Sequence, residues 1–361
     1  MKIVTVIGAR PQFVKAAMVS RAVKEHNRHG NRITELLLHT GQHYDENMSG
    51  IFFTDMQIPR PAWLLEGKYS LHGEMTGYML TEIEKILLEA VPDYVLVYGD
   101  TNSTLAGALA AAKLHIPVVH VEAGLRSFNR RMPEETNRVL TDHLSSLLLC
   151  PTFSAVRHLA GEGIHEGVHH VGDVMYDAAL LFGQLAEASP NIADRLQLKR
   201  KSFFLCTVHR AENTDNQERM SQILAALKET GTPSCPVVLP LHPRTRRCLE
   251  SYGELSDLAK HPGIRLLDPL SFLDMVSLEK YAAMILTDSG GVQKEAYFHH
   301  TPCITLRDET EWTETVEAGW NQLAGCRTEE ILRCLSLQTG GRKEIPEYGS
   351  GHAAEAILRL L

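Results

Sequence analysis

The chain has no apolar run long and unbroken enough to cross a bilayer. Its nearest candidate, Leu105 to Gly124, carries Lys113, His115, Pro117 and His120, and it reads as helix, turn and strand. At the N-terminus, Met1 to Arg10 passes from a few apolar residues straight to Gly8 and Arg10. There is no basic segment followed by a long apolar one, so no secretion signal is expected and a soluble cytoplasmic protein is. Cysteines are few and scattered: Cys150, Cys206, Cys235, Cys248, Cys303, Cys326 and Cys334 never form C-x-x-C. That spacing suits neither a disulfide framework nor a thiolate metal site. No G-x-G-x-x-G follows a strand-like run, since Gly161, Gly163 and Gly167 are wrongly spaced, and no G-x-x-x-x-G-K-[ST] occurs. Dinucleotide-dependent redox enzymes and P-loop NTPases are therefore disfavoured. The chain has 18 histidines, and neither a metal nor another cofactor is expected. Positive charge is also in deficit, with 36 Lys and Arg against 44 Asp and Glu. That balance disfavours binding to nucleic acid through its backbone.

What remains is an ordinary globular composition, and 361 residues suit two domains. Apolar runs alternate with amphipathic stretches. Ile3 to Ile7, Leu36 to Leu38, Tyr94 to Tyr98, Ile116 to Val121 and Leu147 to Cys150 read as buried strands. Helices are expected after Pro11, from about Thr104 to Lys113 and from about Glu134 to Ser145. A second series follows at Phe203 to Val208, Val237 to Leu239, Ile264 to Leu267, Met284 to Thr287 and Cys303 to Leu306, with a polar helix-like stretch at Ala186 to Lys201. Such alternation predicts an α/β fold with parallel sheets covered on both faces. We expect two doubly wound Rossmann-like domains, 1–170 and 171–349, with a ligand cleft between them at the carboxyl ends of the strands. A helix at about 350–361 is expected to pack back on the first domain.

Four features carry chemistry. Gly8-Ala9-Arg10-Pro11-Gln12 follows the first strand, where unblocked helix amides and an arginine would suit phosphate. Asp288-Ser289-Gly290-Gly291 also lies between strand and helix, and Glu295 stands about one turn on. The amides suit a diphosphate and the carboxylate suits ribose hydroxyls. Asp100, Glu122 and Glu134 lie just past strands or at a helix entry, with Arg138 one turn after Glu134. Carboxylates converging there would repel one another and shift towards acid–base use. Asp100 and Glu134 could equally serve a helix N-terminus. His209 and His242 close two strands of the second series and could bond phosphate or cap a helix.

These motifs, together with His39-Thr-Gly-Gln-His43, His120 to Arg126 and His209 to Asn213, occur in an order that resembles the non-hydrolysing UDP-N-acetylglucosamine 2-epimerase family. The resemblance runs from residue 1 to about residue 325. It implies a GT-B-like pair of domains and no cofactor. It also implies a reaction in which the C2 proton is removed, UDP leaves C1 to give a glycal, and both return with C2 inverted. Asp100, Glu122 and Glu134 would be the acid–base residues, and His209 would assist at the sugar–phosphate bond. Arg10, Lys15, Arg138, His242, Ser289, Gly290 and Gly291 would bind diphosphate or supply charge, and Glu295 would hold the ribose. Gln42 and His43 match a motif that lines an activating UDP-sugar site in some members. A homodimer is implied as well.

Two departures point to a branch. Ala9 and Gln12 stand where Thr and Glu are common, and Glu311-Trp312-Thr313 stands where Arg-Pro is common after the glutamate. Both look more like the branch acting on UDP-2,3-diacetamido-2,3-dideoxyglucuronate, which feeds surface polysaccharide (O-antigen) synthesis. Arg126, Arg130 and Arg131 are then candidate partners for the sugar carboxylate. UDP-N-acetylglucosamine is the alternative substrate. A GT-B glycosyltransferase, a hydrolysing epimerase and a non-catalytic UDP-sugar sensor are the rival readings.

Overall fold

A computed structural model describes residues 1–30, 32–42, 58–67, 69, 71–188, 191–337 and 341–361, with the side chains of Arg10 and Ala188 left aside. The chain divides into two compact units, Met1–Ala178 with Pro346–Leu361, and Ala179–Ile345.

The first unit contains β1 (Lys2–Ile7), α1 (Arg10–Arg28), β2 (Thr34–His39), β3 (Trp63–Leu64), α2 (His72–Ala90), β4 (Tyr94–Tyr98), α3 (Asn102–Lys113), β5 (Val118–Val121), α4 (Pro133–Leu144), β6 (Leu147–Cys150), α5 (Phe153–Gly161) and β7 (Val168–His170). Helix α6 (Val174–Ala188) crosses the boundary between the units. The strands form one parallel sheet in the order β3-β2-β1-β4-β5-β6-β7. Successive strand residues face opposite sides of a sheet. Thus Val4, Val6, Leu38, Val95 and Val97 share a core with Met79, Ile83 and Leu87 of α2 and the alanines of α3. Those alanines, with Gly107, let α3 lie close to the sheet: a Cβ on Gly107 would stand 3.2 Å from the side-chain carbons of Val6.

The other face of β1 is less uniform. Thr5 Oγ1 donates to Glu35 Oε1 (2.8 Å), and the Tyr98 hydroxyl is buried without a hydrogen-bond partner among the described residues. Burial pushes the Glu35 carboxyl above its ordinary range, and hydrogen bonds from Ser20 and Thr5 only partly offset it. A raised carboxyl favours the folded state while protonated, and that contribution is lost as pH rises past the unfolded value of about 4.3. Glu35→Gln is therefore expected to stabilise the protein by on the order of 1 kcal/mol at neutral pH, with the gain vanishing on acidification. Thermal unfolding of both proteins across pH would show it, and a gain that grew on acidification would contradict it.

The second unit continues with α7 (Ile192–Arg195), β8 (Phe204–Thr207), α8 (Ala211–Thr214), α9 (Gln217–Thr230), β9 (Val237–Pro240), α10 (Pro243–Ser251), α11 (Leu255–Lys260), β10 (Ile264–Leu267), α12 (Phe272–Tyr281), β11 (Met284–Thr287), α13 (Gly290–Phe298), β12 (Cys303–Thr305), α14 (Thr313–Glu317), β13 (Asn321–Leu323) and α15 (Thr328–Ser336). Its strands pair in parallel in the order β10-β9-β8-β11-β12-β13. Leu205, Val238 and Ile285 enter one core and Cys206, Leu239 and Leu286 the other, as a sheet covered on both faces requires. The C-terminal helix α16 (Ala353–Leu358) belongs to the first unit, where Asp177 accepts the Ala353 and Ala354 amides at 3.0 and 2.8 Å.

Three strands lack the expected apolar run. β3 is only two residues long and β7 and β13 are short and partly polar; all three lie at sheet edges, where burial on both faces is not required. The helix-like stretch at 186–201 is also corrected. A new short helix starts there because Asn191 Oδ1 accepts the Asp194 amide at 2.9 Å. The cysteines are free thiols, and burial pushes those of Cys150 and Cys303 up to about 12.

Candidate active site

Each sheet reverses its strand order once, between β1 and β4 and between β8 and β11. Loops leaving the carboxyl ends at such a point diverge and open a crevice. In the first unit those loops are Gly8–Ala9 and Gly99–Thr101. A Cβ on Gly8 would run into Thr40 Oγ1 and Ser103 Oγ, so glycine is required by close approach. Those two hydroxyls lie 2.7 Å apart, and Gln42 Oε1 takes both the Ser103 amide (3.0 Å) and its hydroxyl (2.7 Å). The Ser103 proton being used, Thr40 is the donor to Ser103 Oγ.

The expected unblocked amides after β1 are corrected. Gln12 Oε1 accepts from Gly8 N (2.8 Å) and Ala9 N (3.0 Å), while its Nε2 donates to Tyr98 O and Thr104 Oγ1, both 2.9 Å. Gln12 is a buried strut that ties the first loop to β4, and it removes two amides from any anion. The side chain of Arg10 and the whole of His43 lie outside the described residues.

Two of the three acids meet cations, where a like-charge cluster was expected. Arg138 of α4 bridges Asp100 Oδ2 and Glu135 Oε2, the latter at 2.9 Å. Lys15 of α1 pairs with Glu122 Oε2. A Cβ on Gly99, whose φ is +62°, would lie 3.4 Å from Lys15 Nζ and 3.6 Å from Glu122 Oε2. Asp100 and the Lys15–Glu122 pair thus share one corner. Glu122 itself has φ +72°, a strained conformation for a residue with a Cβ. Helix α3 is capped by Thr101, whose Oγ1 accepts from Thr104 N (3.3 Å), so Asp100 is not its cap. Glu134 is half-buried in the first turn of α4 and has no side-chain partner among the described residues.

Its neighbour Glu135 was not singled out in the sequence. It accepts from Ser127 N, Ser127 Oγ and Phe128 N, all at 2.9 Å. Burial raises its carboxyl, but these bonds and Arg138 outweigh that and hold it below the ordinary range. Glu135 thereby fixes the loop that carries Arg130 and Arg131, both exposed. Arg126 is removed from the candidate partners of a sugar carboxylate. It is buried, gives Nε and Nη2 to Glu162 (2.6 and 2.7 Å) and Nη1 to Asp142 Oδ2 and Leu125 O (both 2.7 Å).

In the second unit, fully buried Asp288 accepts the His209 amide on both oxygens (3.0 and 3.1 Å), and on Oδ2 the Arg210 amide (3.0 Å) and Asn213 Nδ2 (3.2 Å). The His209 Nδ1 lies 3.4 Å from Asp288 Oδ1. Burial lowers the His209 imidazole below its ordinary value; Asp288 opposes this and Arg210 adds to it. His242 is the N-cap of α10, with Nδ1 accepting from Arg244 N at 3.2 Å. The ring proton is therefore on Nε2, which leaves a donor for an anion. The two imidazoles stand 5.6 Å apart.

Ser289 caps α13, with its own amide given to Thr287 Oγ1 (3.0 Å). The Gly290 and Gly291 amides have no acceptor among the described residues, which is the geometry that attracts phosphate. Behind Gly290, a Cβ would collide with Glu311 Oε1. Arg307 holds Glu311 at 2.9 Å, and Lys294 Nζ sits 3.9 Å from the Trp312 ring centroid. The Glu311-Trp312 motif thus packs directly behind the glycine turn. Glu295 is half-buried on the same helix. No group of three or more His, Cys, Asp or Glu among the described residues is arranged to hold a metal ion, and no described helix is long and apolar enough to cross a membrane.

The family model described as UDP-N-acetylglucosamine 2-epimerase matches residues 24–361. The chain is 48% identical over 368 residues to the UDP-2,3-diacetamido-2,3-dideoxy-D-glucuronate 2-epimerase of Pseudomonas aeruginosa, covering 100% of this chain and 99% of that one. It is also 48% identical over 363 residues to a UDP-N-acetylglucosamine 2-epimerase homolog of Methanococcus maripaludis, with the same coverage. Among solved structures, the Methanocaldococcus jannaschii UDP-GlcNAc 2-epimerase in complex with UDP-GlcNAc and UDP matches with a TM-score of 0.90 at 43% identity, over 100% of this chain and 99% of that one.

Proposed function

Because the chain belongs to the UDP-N-acetylglucosamine 2-epimerase family, we propose that it inverts C2 of a UDP-2-acetamido sugar without hydrolysing it, with UDP-2,3-diacetamido-2,3-dideoxyglucuronate as substrate. The enzyme is an isomerase. The observation that carries the reading is the acid set of the first unit: Asp100 held by Arg138, Glu122 held by Lys15, and Glu134 unpaired among the described residues. A sugar-nucleotide sensor or a glycosyltransferase has no use for three such carboxylates.

One carboxylate takes the C2 proton as the C1–O bond breaks and its electron pair leaves with UDP. The product is a 2-acetamidoglycal plus UDP. In the return direction the diphosphate oxygen re-forms the C1–O bond and a proton is delivered to the opposite face of C2. The departing diphosphate is met by the free Gly290 and Gly291 amides and by the Nε2–H of His242, with His209 at the sugar–phosphate bond. Glu295 is assigned to the ribose, and Arg10 to the diphosphate. Arg130 and Arg131 are assigned to the hexuronate carboxylate. The 48% identity to the Pseudomonas enzyme supports the diacetamido substrate. The 43% identity to the Methanocaldococcus enzyme supports UDP-N-acetylglucosamine as the second reading. A cytoplasmic homodimer and an activating site at Gln42 and His43 belong to the same proposal and rest on the family.

Proton NMR in D2O with each sugar nucleotide tests this. Deuterium should enter C2 as the manno epimer forms, with UDP still attached, and faster for the diacetamido substrate. Release of free sugar, or no exchange despite bound UDP, would exclude the reading.

A further inference from the structure

We propose that His120, held as an imidazolium between Asp142 and the Gly99 carbonyl, is a positioning residue for the acids Asp100 and Glu122; the proposal rests on the epimerase reading above. His120 lies on β5 with its side chain fully buried. Its Nε2 is 2.7 Å from Gly99 O, and its Nδ1 is 2.7 Å from Asp142 Oδ1. A carbonyl oxygen has no proton to give, so Nε2 carries one. The second oxygen of Asp142 already accepts Gly124 N (3.1 Å) and Arg126 Nη1 (2.7 Å). Burial raises that carboxyl, but His120 and Arg126 outweigh it and hold it below its ordinary range. Both ring nitrogens thus face acceptors, a carbonyl oxygen and a carboxylate oxygen, and the proposal places a proton on each.

The charges close on themselves. His120 and Arg126 are balanced by Asp142 and Glu162, and only Glu162 is substantially exposed. A buried ionic chain of this kind is seldom more stabilising than an apolar core of the same volume. What it supplies is geometry. The Gly99 amide donates to Val121 O at 3.0 Å, and the Gly99 carbonyl is held by His120, so both peptide groups flanking that residue are anchored to β5. Asp100 follows immediately, and its own carbonyl accepts Asn137 Nδ2 at 2.9 Å. Two residues beyond His120, just past the end of β5, stands Glu122 in its strained backbone conformation, and Asp142 holds the Gly124 amide that closes that turn. One imidazolium–carboxylate pair thus anchors both loops that carry acids. Displacement of a reacting group by about 1 Å costs on the order of 100-fold in rate.

The charged and titratable groups around the ring are Asp142 and Arg126, with Cys150 of β6 beside Asp142. Past Gly99 lie Asp100 and the Lys15–Glu122 pair. The first measurement is proton-detected nitrogen NMR of histidine-labelled full-length protein, with the His120 signals assigned by their loss in His120→Gln. Both His120 nitrogens should show protonated shifts at about pH 7. An unprotonated Nδ1 or Nε2 at neutral pH would overturn the proposal, whatever the activity of the variant. In the folded His120→Gln enzyme, kcat for C2 epimerisation should fall by about 100-fold, with KM and UDP affinity within about two-fold. An unchanged kcat, or equal losses in kcat and UDP affinity, would also overturn it. Absence of C2 exchange in the unaltered enzyme would instead fail the epimerase reading and leave the NMR result standing.

Discussion

Asp100→Asn is expected to keep UDP affinity within about two-fold and to lose turnover by roughly 100- to 10,000-fold, the usual contribution of a positioned acid or base. The substitution is nearly isosteric. It leaves the Asp100 carbonyl free to accept Asn137 Nδ2, and it leaves Arg138 paired with Glu135. The loop should therefore stay in place while the carboxylate is gone. UDP binding resides by proposal in the other unit, at the Gly290 and Gly291 amides and His242, so calorimetry with UDP should report little change. Epimerisation, followed as deuterium entry at C2, should nearly stop. A variant with full turnover would remove Asp100 from the acid–base set. One that lost UDP affinity as well would show the residue to be a binding group instead.

The largest expected loss of stability is at Asp288. It is wholly buried, and its carboxylate accepts two backbone amides and one side-chain amide from the segment after β8. Asp288→Ala leaves those donors without an acceptor, at about 1–3 kcal/mol for each unsatisfied buried group. Allowing for partial relaxation, a destabilisation of about 3–5 kcal/mol is expected, together with loss of UDP binding as His209 and α8 lose their anchor. Asp288→Asn should fall between, since its one carbonyl oxygen serves some of the donors while its NH2 group faces others. Urea unfolding followed by a probe in the second unit is the appropriate measurement, because a chain of two compact units need not unfold in one step. A change of less than about 1 kcal/mol would contradict the role assigned to these bonds.

Much of this architecture was legible in residue order alone. Tyr94–Tyr98, Leu147–Cys150, Ile264–Leu267 and Met284–Thr287 form strands at the expected residues, because short apolar runs of this length suit the strands of a sheet covered on both faces. Glycines that follow strands were equally legible: Gly8 and Gly290 stand where another chain segment comes too close for a side chain. Asp100 and Glu122 were singled out because a residue just beyond a parallel strand opens towards the crevice.

Partnership was not legible. Glu134 and Glu135 are the same residue type side by side, yet helical rotation turns one inward to Ser127, Phe128 and Arg138 and leaves the other without a partner among the described residues. Arg126 read as a loop cation open to substrate, and its carboxylates come from positions 16 and 36 residues away. The bond from the His209 amide to Asp288 spans 79 residues. What the sequence by itself determined is therefore the alternation of strands and helices, the places where loops leave the sheets, and the residue types those loops carry. Only the tertiary structure decided which charges are spent on one another and which remain for substrate. Strand and helix patterns arise from neighbours along the chain with fixed periods of about 2 and 3.6 residues. A buried hydrogen bond instead depends on two distant groups arriving within about 3 Å in the right orientation, and no local period records that.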